Sequence, residues 1–156
     1  MVTLYPQEGL GLELILRQLI TSLAFPTAQK MQTLAAIQLS NIITSDSVIL
    51  KIPAKLKTSD VGKAQSLFAF KPFLDKSEFC VVSLIKFYLQ VTCDLRQRSR
   101  DSFFLAGRVS HDSVSSQTLD RGAKTELNAS GVDINIFSVH STRHASTSLA
   151  ASRSVV

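Results

Sequence analysis

Two hydrophobic periods divide this 156-residue chain. Between residues 12 and 25, Leu12, Leu14, Ile15, Leu19, Ile20 and Leu23 recur at helical spacing, which predicts a largely buried helix. Pro26 has no N–H and stops or kinks that helix, and Thr27 can cap the next segment. Residues 28–39 set Met31, Leu34, Ala35 and Leu39 on one face and predict a second helix. The period then shortens. Residues 41–44 and 48–52 are β-rich runs divided by Ser45, Asp46 and Ser47, which signal a turn, and residues 67–70 form a third short run. A small antiparallel sheet is expected, whose second connection carries Lys55, Lys57 and Lys63.

Helical spacing returns over residues 80–95, where Val81, Leu84, Ile85, Tyr88, Leu89 and Val91 make a broad apolar surface. Phe87 and Tyr88 read as packing residues there, not as base-stacking ones. Residues 96–100 form a basic loop and residues 103–105 a buried extended piece. Ser115 or Ser116 can cap a helix running to Ala129, with Gly131 as its stop, and Gly122 in the middle costs about 1 kcal/mol relative to alanine. A last helix is expected from about Val139.

Composition narrows the class. With 45% hydrophobic residues the chain is too apolar for disorder and has one domain's worth of core. No stretch is long enough to span a membrane, and the N-terminus lacks a signal-peptide pattern, so an intracellular place is expected. Cys80 and Cys93 fall within one helical pattern, too far apart along it to bridge, and read as buried or half-buried thiols. The net charge of +5 comes in groups, Lys51, Lys55, Lys57 and Lys63 in one and Arg96, Arg98 and Arg100 in another. Grouped positive charge favours a polyanionic partner, nucleic acid being the commonest.

The chemistry concentrates in residues 137–151, where His140, Arg143 and His144 form a His-x-x-Arg-His cluster behind Ser138, a candidate N-cap. Offsets of three and four place them on one helix face near its positive end. Two imidazoles and a guanidinium there can hold an anionic oxygen, most naturally a phosphate. The same cluster is also what a solvated basic face looks like. A zinc pair from His140 and His144 has the spacing but lacks a nearby carboxylate or thiolate and carries an arginine between, so no metal is assigned.

The order of these features resembles the tyrosine recombinases, the phage-integrase-like enzymes, of the sort found in eukaryotic Crypton and DIRS-like mobile elements. His140-Ser141-Thr142-Arg143-His144 is similar to the family's His-x-x-Arg-His box, and residues 27–34 resemble the helix that carries its first catalytic arginine. Lys57-Thr58 stands in the place of the catalytic hairpin lysine. Residues 116–119 and 130–133 resemble the approach to the motif helix. The resemblance covers nearly the whole chain. It implies an α+β, mainly α architecture, the DNA breaking-rejoining (integrase catalytic core) fold, with a small three-stranded antiparallel sheet.

In that family a tyrosine attacks a DNA phosphodiester without metal, cofactor or external energy, and fixed positive donors stabilise a phosphorane-like transition state. The resemblance implies Arg143 as the second catalytic arginine, His140 as its partner, and Lys57 as general acid, with Lys55 a neighbouring alternative; both lysines also read as solvated loop residues. His144 would orient the motif helix or touch the DNA backbone. Lys30 stands where the first arginine belongs, which reduces a bidentate fork to a point charge and removes about 3–4 kcal/mol of stabilisation if it acts like a lost oxyanion donor.

The family's later His or Trp position and its nucleophilic tyrosine would fall beyond Val156, and Tyr5 and Tyr88 stand elsewhere. The expectation is a single, C-terminally truncated catalytic domain over residues 1–156 that binds double-stranded DNA and is impaired as a recombinase. The alternative is a non-enzymatic DNA- or chromatin-associated module derived from a mobile element; a gene remnant with no activity is a third reading. The resemblance implies the nucleus (an intracellular place if the host is not a eukaryote) and homo-oligomers on DNA in full-length relatives.

Overall fold

A computed structural model describes residues 11–27, 29–52, 67–76, 80–96, 101–107 and 111–135. The described chain is mixed helix and sheet, mainly helical. Helix α1 spans Leu12–Thr27, α2 Met31–Ala35, α3 Val81–Thr92 and α4 Ser116–Ala129; strands β1 (Ile42–Thr44), β2 (Val48–Lys51) and β3 (Leu67–Phe70) lie between α2 and α3.

Helix α1 is the centre of the core. Ile15, Leu16, Leu19, Ile20 and Leu23 are all buried, and the helix packs against both α3 and α4. Pro26 sits inside its last turn, so the helix ends one residue later at Thr27. Thr27 does not cap the second helix: its hydroxyl turns back to the Leu23 carbonyl at 2.6 Å. On α4, Leu119, Ala123 and Leu127 face inward at helical spacing. Gly122 faces α1, and a Cβ built on it would lie 3.4 Å from Ile20 Cδ1. Ser115 caps α4 through the Thr118 N–H at 3.3 Å. At the other end Gly131 adopts φ +81, and Gly131 N–H and Val132 N–H close onto the Asn128 and Leu127 carbonyls at 3.1 and 3.0 Å. That pair of bonds is a Schellman stop, which needs the left-handed residue that glycine supplies.

The sheet has the order β1-β2-β3 with both pairings antiparallel. Ser45 N–H donates to the Ser47 carbonyl at 2.9 Å and makes the first turn. Val48 and Leu50 of the central strand point into the core, with Ile42, Phe68 and Phe70 beside them. The opposite face carries Ile43, Ile49, Leu67 and Ala69, and there Ile43 is 44% and Leu67 59% exposed.

Two elements differ from expectation. The apolar spacing predicts a second helix over residues 28–39, but α2 covers only Met31–Ala35. Beyond it the Ile37 carbonyl accepts the Phe103 N–H at 3.1 Å, and the Leu39 N–H donates to the Asp101 carbonyl at 2.7 Å. Pairing with a distant extended segment satisfies these groups, and a 3-10 turn, Leu39–Asn41, leads into β1. The third helix likewise gives way to a 3-10 turn, Cys93–Leu95, which leaves Cys93 exposed although Cys80 is buried at the N-cap of α3.

The extended piece at 103–105 is fully buried, as its three apolar residues require. Phe103 meets Tyr88 edge-on at 5.5 Å and Phe104 at 4.6 Å. Gly107, just beyond, approaches α1 so closely that a Cβ would lie 3.0 Å from that of Glu13. Among the described residues no helix is long and apolar enough to cross a membrane.

Candidate nucleic-acid interface

Of the residues singled out in sequence, Lys30 is described and Lys55, Lys57, His140, Arg143 and His144 lie outside the described residues. The whole of the 137–151 motif segment lies outside them as well.

Lys30 occupies the N-cap position of α2 in extended backbone, φ −68 and ψ 148, and its side chain makes no capping bond. Its carbonyl starts the helix instead, accepting Thr33 and Leu34 N–H at 2.9 and 3.1 Å. Leu34 is fully buried and anchors that turn, so the backbone of Lys30 is held while its side chain stays exposed. Among the described residues it enters no ion pair. A cation fixed at its base and exposed at its tip suits contact with a phosphate, as a point charge.

The other described cations are variously placed. Arg17 pairs with Glu13 and Lys124 with Asp120, the latter at 2.6 Å, each one turn apart on an exposed helix face. Such pairs contribute little to stability but locally offset positive charge. Lys51, the one described member of the first lysine group, is half-buried on β2 opposite Leu67.

Arg96 corrects the expectation of a basic loop. It is buried at the end of the Cys93–Leu95 turn, with its guanidinium 6.0 Å from the Tyr88 ring centroid. It donates to the Thr92 hydroxyl at 2.9 Å, to the Phe103 carbonyl at 3.0 Å, and to the Ser102 carbonyl. Burial lowers the pKa of Arg96, and nearby Tyr88 and Cys93 pull it back upward. Arg96 is therefore a structural tie between α3 and the buried extended piece, and it is withdrawn from any DNA-facing group; Arg98 and Arg100 lie outside the described residues.

Tyr88 is equally committed. It is fully buried, its hydroxyl accepts the Leu105 N–H at 2.8 Å, and burial pushes its pKa up to about 12. That makes it a poor nucleophile, and Tyr5 lies outside the described residues. No sequence signal separates Arg96 from its basic neighbours, because the Ser102 and Phe103 carbonyls that hold it are brought alongside only by the fold. Among the described residues no three His, Cys, Asp or Glu side chains gather into a metal site.

No family model matches the chain, and no curated protein matches it.

Proposed function

We propose that this chain is a DNA-phosphate-binding descendant of a tyrosine recombinase catalytic domain, forming a single unit over residues 1–156 with the integrase-type fold. The observation that carries the reading is the element order around Lys30. An exposed lysine at the start of α2, unpaired among the described residues, precedes a three-stranded antiparallel sheet whose β2–β3 connection holds Lys55 and Lys57. The His140–Arg143–His144 motif then comes after α4 and its glycine stop, in the order the resemblance calls for. Double-stranded DNA is the partner, and Lys30, Lys57, His140 and Arg143 are the residues assigned to the phosphate, with Lys55 and His144 beside them.

A non-enzymatic, chromatin- or DNA-associated module in the nucleus is the other version of this reading; Tyr88, buried and bonded to the Leu105 N–H, is held in the core in either. The test is duplex binding followed by fluorescence anisotropy across a salt series, for wild type and Arg143→Ala. Binding with a negative slope of log affinity against log salt, weakened in the variant, supports a phosphate pocket. Absence of binding by either protein at low salt defeats it. Phosphotyrosyl product on a nicked suicide substrate would overturn the non-enzymatic version.

A further inference from the structure

The sheet ends at β3, and among the described residues no strand pairs with its outer edge. Backbone N–H and C=O groups along such an edge are a template for another strand, and proteins ordinarily block it with lysine, proline, a bulge or a cover. Strand β3 contains none of the first three. Its residues are Leu67, Phe68, Ala69 and Phe70, paired with β2 in unbroken register, and Lys71 and Pro72 come only after it ends. Four apolar residues, two of them aromatic, with neither charge nor proline have the composition that pairs with its own kind.

Among the described residues neither face of β3 is fully covered. Leu67 and Ala69 are exposed on the outer face, while Phe68 and Phe70 lie against the core yet stay half-buried, unlike Val48 and Leu50 on the central strand. A strand added at the edge supplies hydrogen bonds to the backbone and flanks the side chains of both faces at once. A docked helix or a lipid surface would supply apolar cover alone.

We propose that the β3 edge is a homodimer interface, in which β3 of one copy pairs antiparallel with β3 of a second to give one continuous six-stranded sheet. A second copy is the occupant because two-fold pairing sets an uncharged strand against an uncharged strand. Each Lys71 then falls beyond the end of the opposite β3 and not across from another lysine. The interface does not depend on DNA.

Sedimentation velocity of the full chain without DNA, over about 1 to 200 μM, tests this by mass action. Three proteins are compared: wild type, Ala69→Lys on the exposed face of β3, and Gln117→Lys, which adds the same charge on the exposed side of α4. Wild type and Gln117→Lys should pass from one copy to two as concentration rises. Ala69→Lys should associate at least about tenfold more weakly, with a melting curve that matches wild type at the lowest concentration, where both are single. Amide-exchange protection at residues 67–70 of the wild type should rise with concentration, and this decides the matter alone if Ala69→Lys fails to fold. The proposal is overturned by a wild type that stays single throughout or by exchange at 67–70 that ignores concentration. Association that Ala69→Lys leaves unchanged, or growth past two copies, overturns it equally, because two-fold pairing uses up both β3 edges.

Discussion

Arg96 and Tyr88 sit one above the other at the end of α3, the guanidinium 6.0 Å from the ring centroid, and each reaches the backbone of the same buried segment. Arg96 takes the Ser102 and Phe103 carbonyls, and Tyr88 takes the Leu105 N–H. At that separation the cation–π attraction is at the end of its range, so the hydrogen bonds carry the contact.

Arg96→Ala should therefore destabilise the fold by about 2–4 kcal/mol, because it strands the Ser102 and Phe103 carbonyls, while the Thr92 hydroxyl keeps its bond to the Tyr88 carbonyl. Arg96→Lys should recover less than half of this, since a compact ammonium cannot span three acceptors held by a planar fork. Urea denaturation midpoints measure both. Equal stability of wild type and Arg96→Ala would refute the tie.

Tyr88 predicts a loss of stability in alkali. The unfolded phenol gives up its proton near pH 10, whereas burial holds the folded one to about 12. Between those values the unfolded state binds fewer protons, so stability is full below about pH 10 and falls as pH rises toward 12, by about 2–3 kcal/mol. Tyr88→Phe should flatten this descent and, at neutral pH, cost about 1–2 kcal/mol for the Leu105 N–H left without an acceptor. Chemical denaturation from pH 8 to 12 compares the two curves.

Gly122 is open to improvement. Its missing Cβ would meet Ile20 Cδ1 at 3.4 Å and Arg17 Cγ at 3.6 Å, both the ends or stems of movable side chains. Gly122→Ala should stabilise α4 by about 0.5–1 kcal/mol through helix propensity, while Gly122→Leu should destabilise by wedging α4 from α1. Thermal melts will show opposite shifts. Stabilisation by both would mean the α1–α4 approach is looser than described, and destabilisation by both that it has no room even for a methyl group.

For Lys30, the phosphate reading predicts a change in binding and none in folding. Lys30→Ala should weaken duplex affinity about equally for all sequences and reduce the salt slope by about 1, with stability unchanged to within about 0.5 kcal/mol. Lys30→Arg should tighten binding by restoring a two-pronged donor. An unchanged salt slope in Lys30→Ala would remove this residue from the interface.

Much of the fold is readable from local pattern. Helices α1, α3 and α4, the three strands and the Ser45–Ser47 turn announce themselves through apolar spacing and turn chemistry, and Ser115 and Gly131 mark both ends of α4. What sequence could not show is pairing at a distance. Residues 37–39 have a helical pattern, yet they bond to residues 101–103, and that non-local pairing overrides propensity. Arg96 resembles its basic neighbours in every local respect; only the carbonyls brought alongside it make it structural. For the site, the sequence named six residues, and the structure speaks to Lys30 alone, as an exposed cation on a fixed backbone.

The pairing of residues 37–39 with residues 101–103 has a consequence for synthesis. A growing chain emerges from the ribosome with α1, α2 and the sheet long before Asp101, at about 5–20 residues per second. Throughout that interval Ile37 and Leu39 lack their backbone partners, and the apolar side of α1 lacks α4. Cotranslational assembly of this core is thus gated by its last described helix. A ribosome that pauses before residue 116 would present the quality-control machinery with an open hydrophobic face.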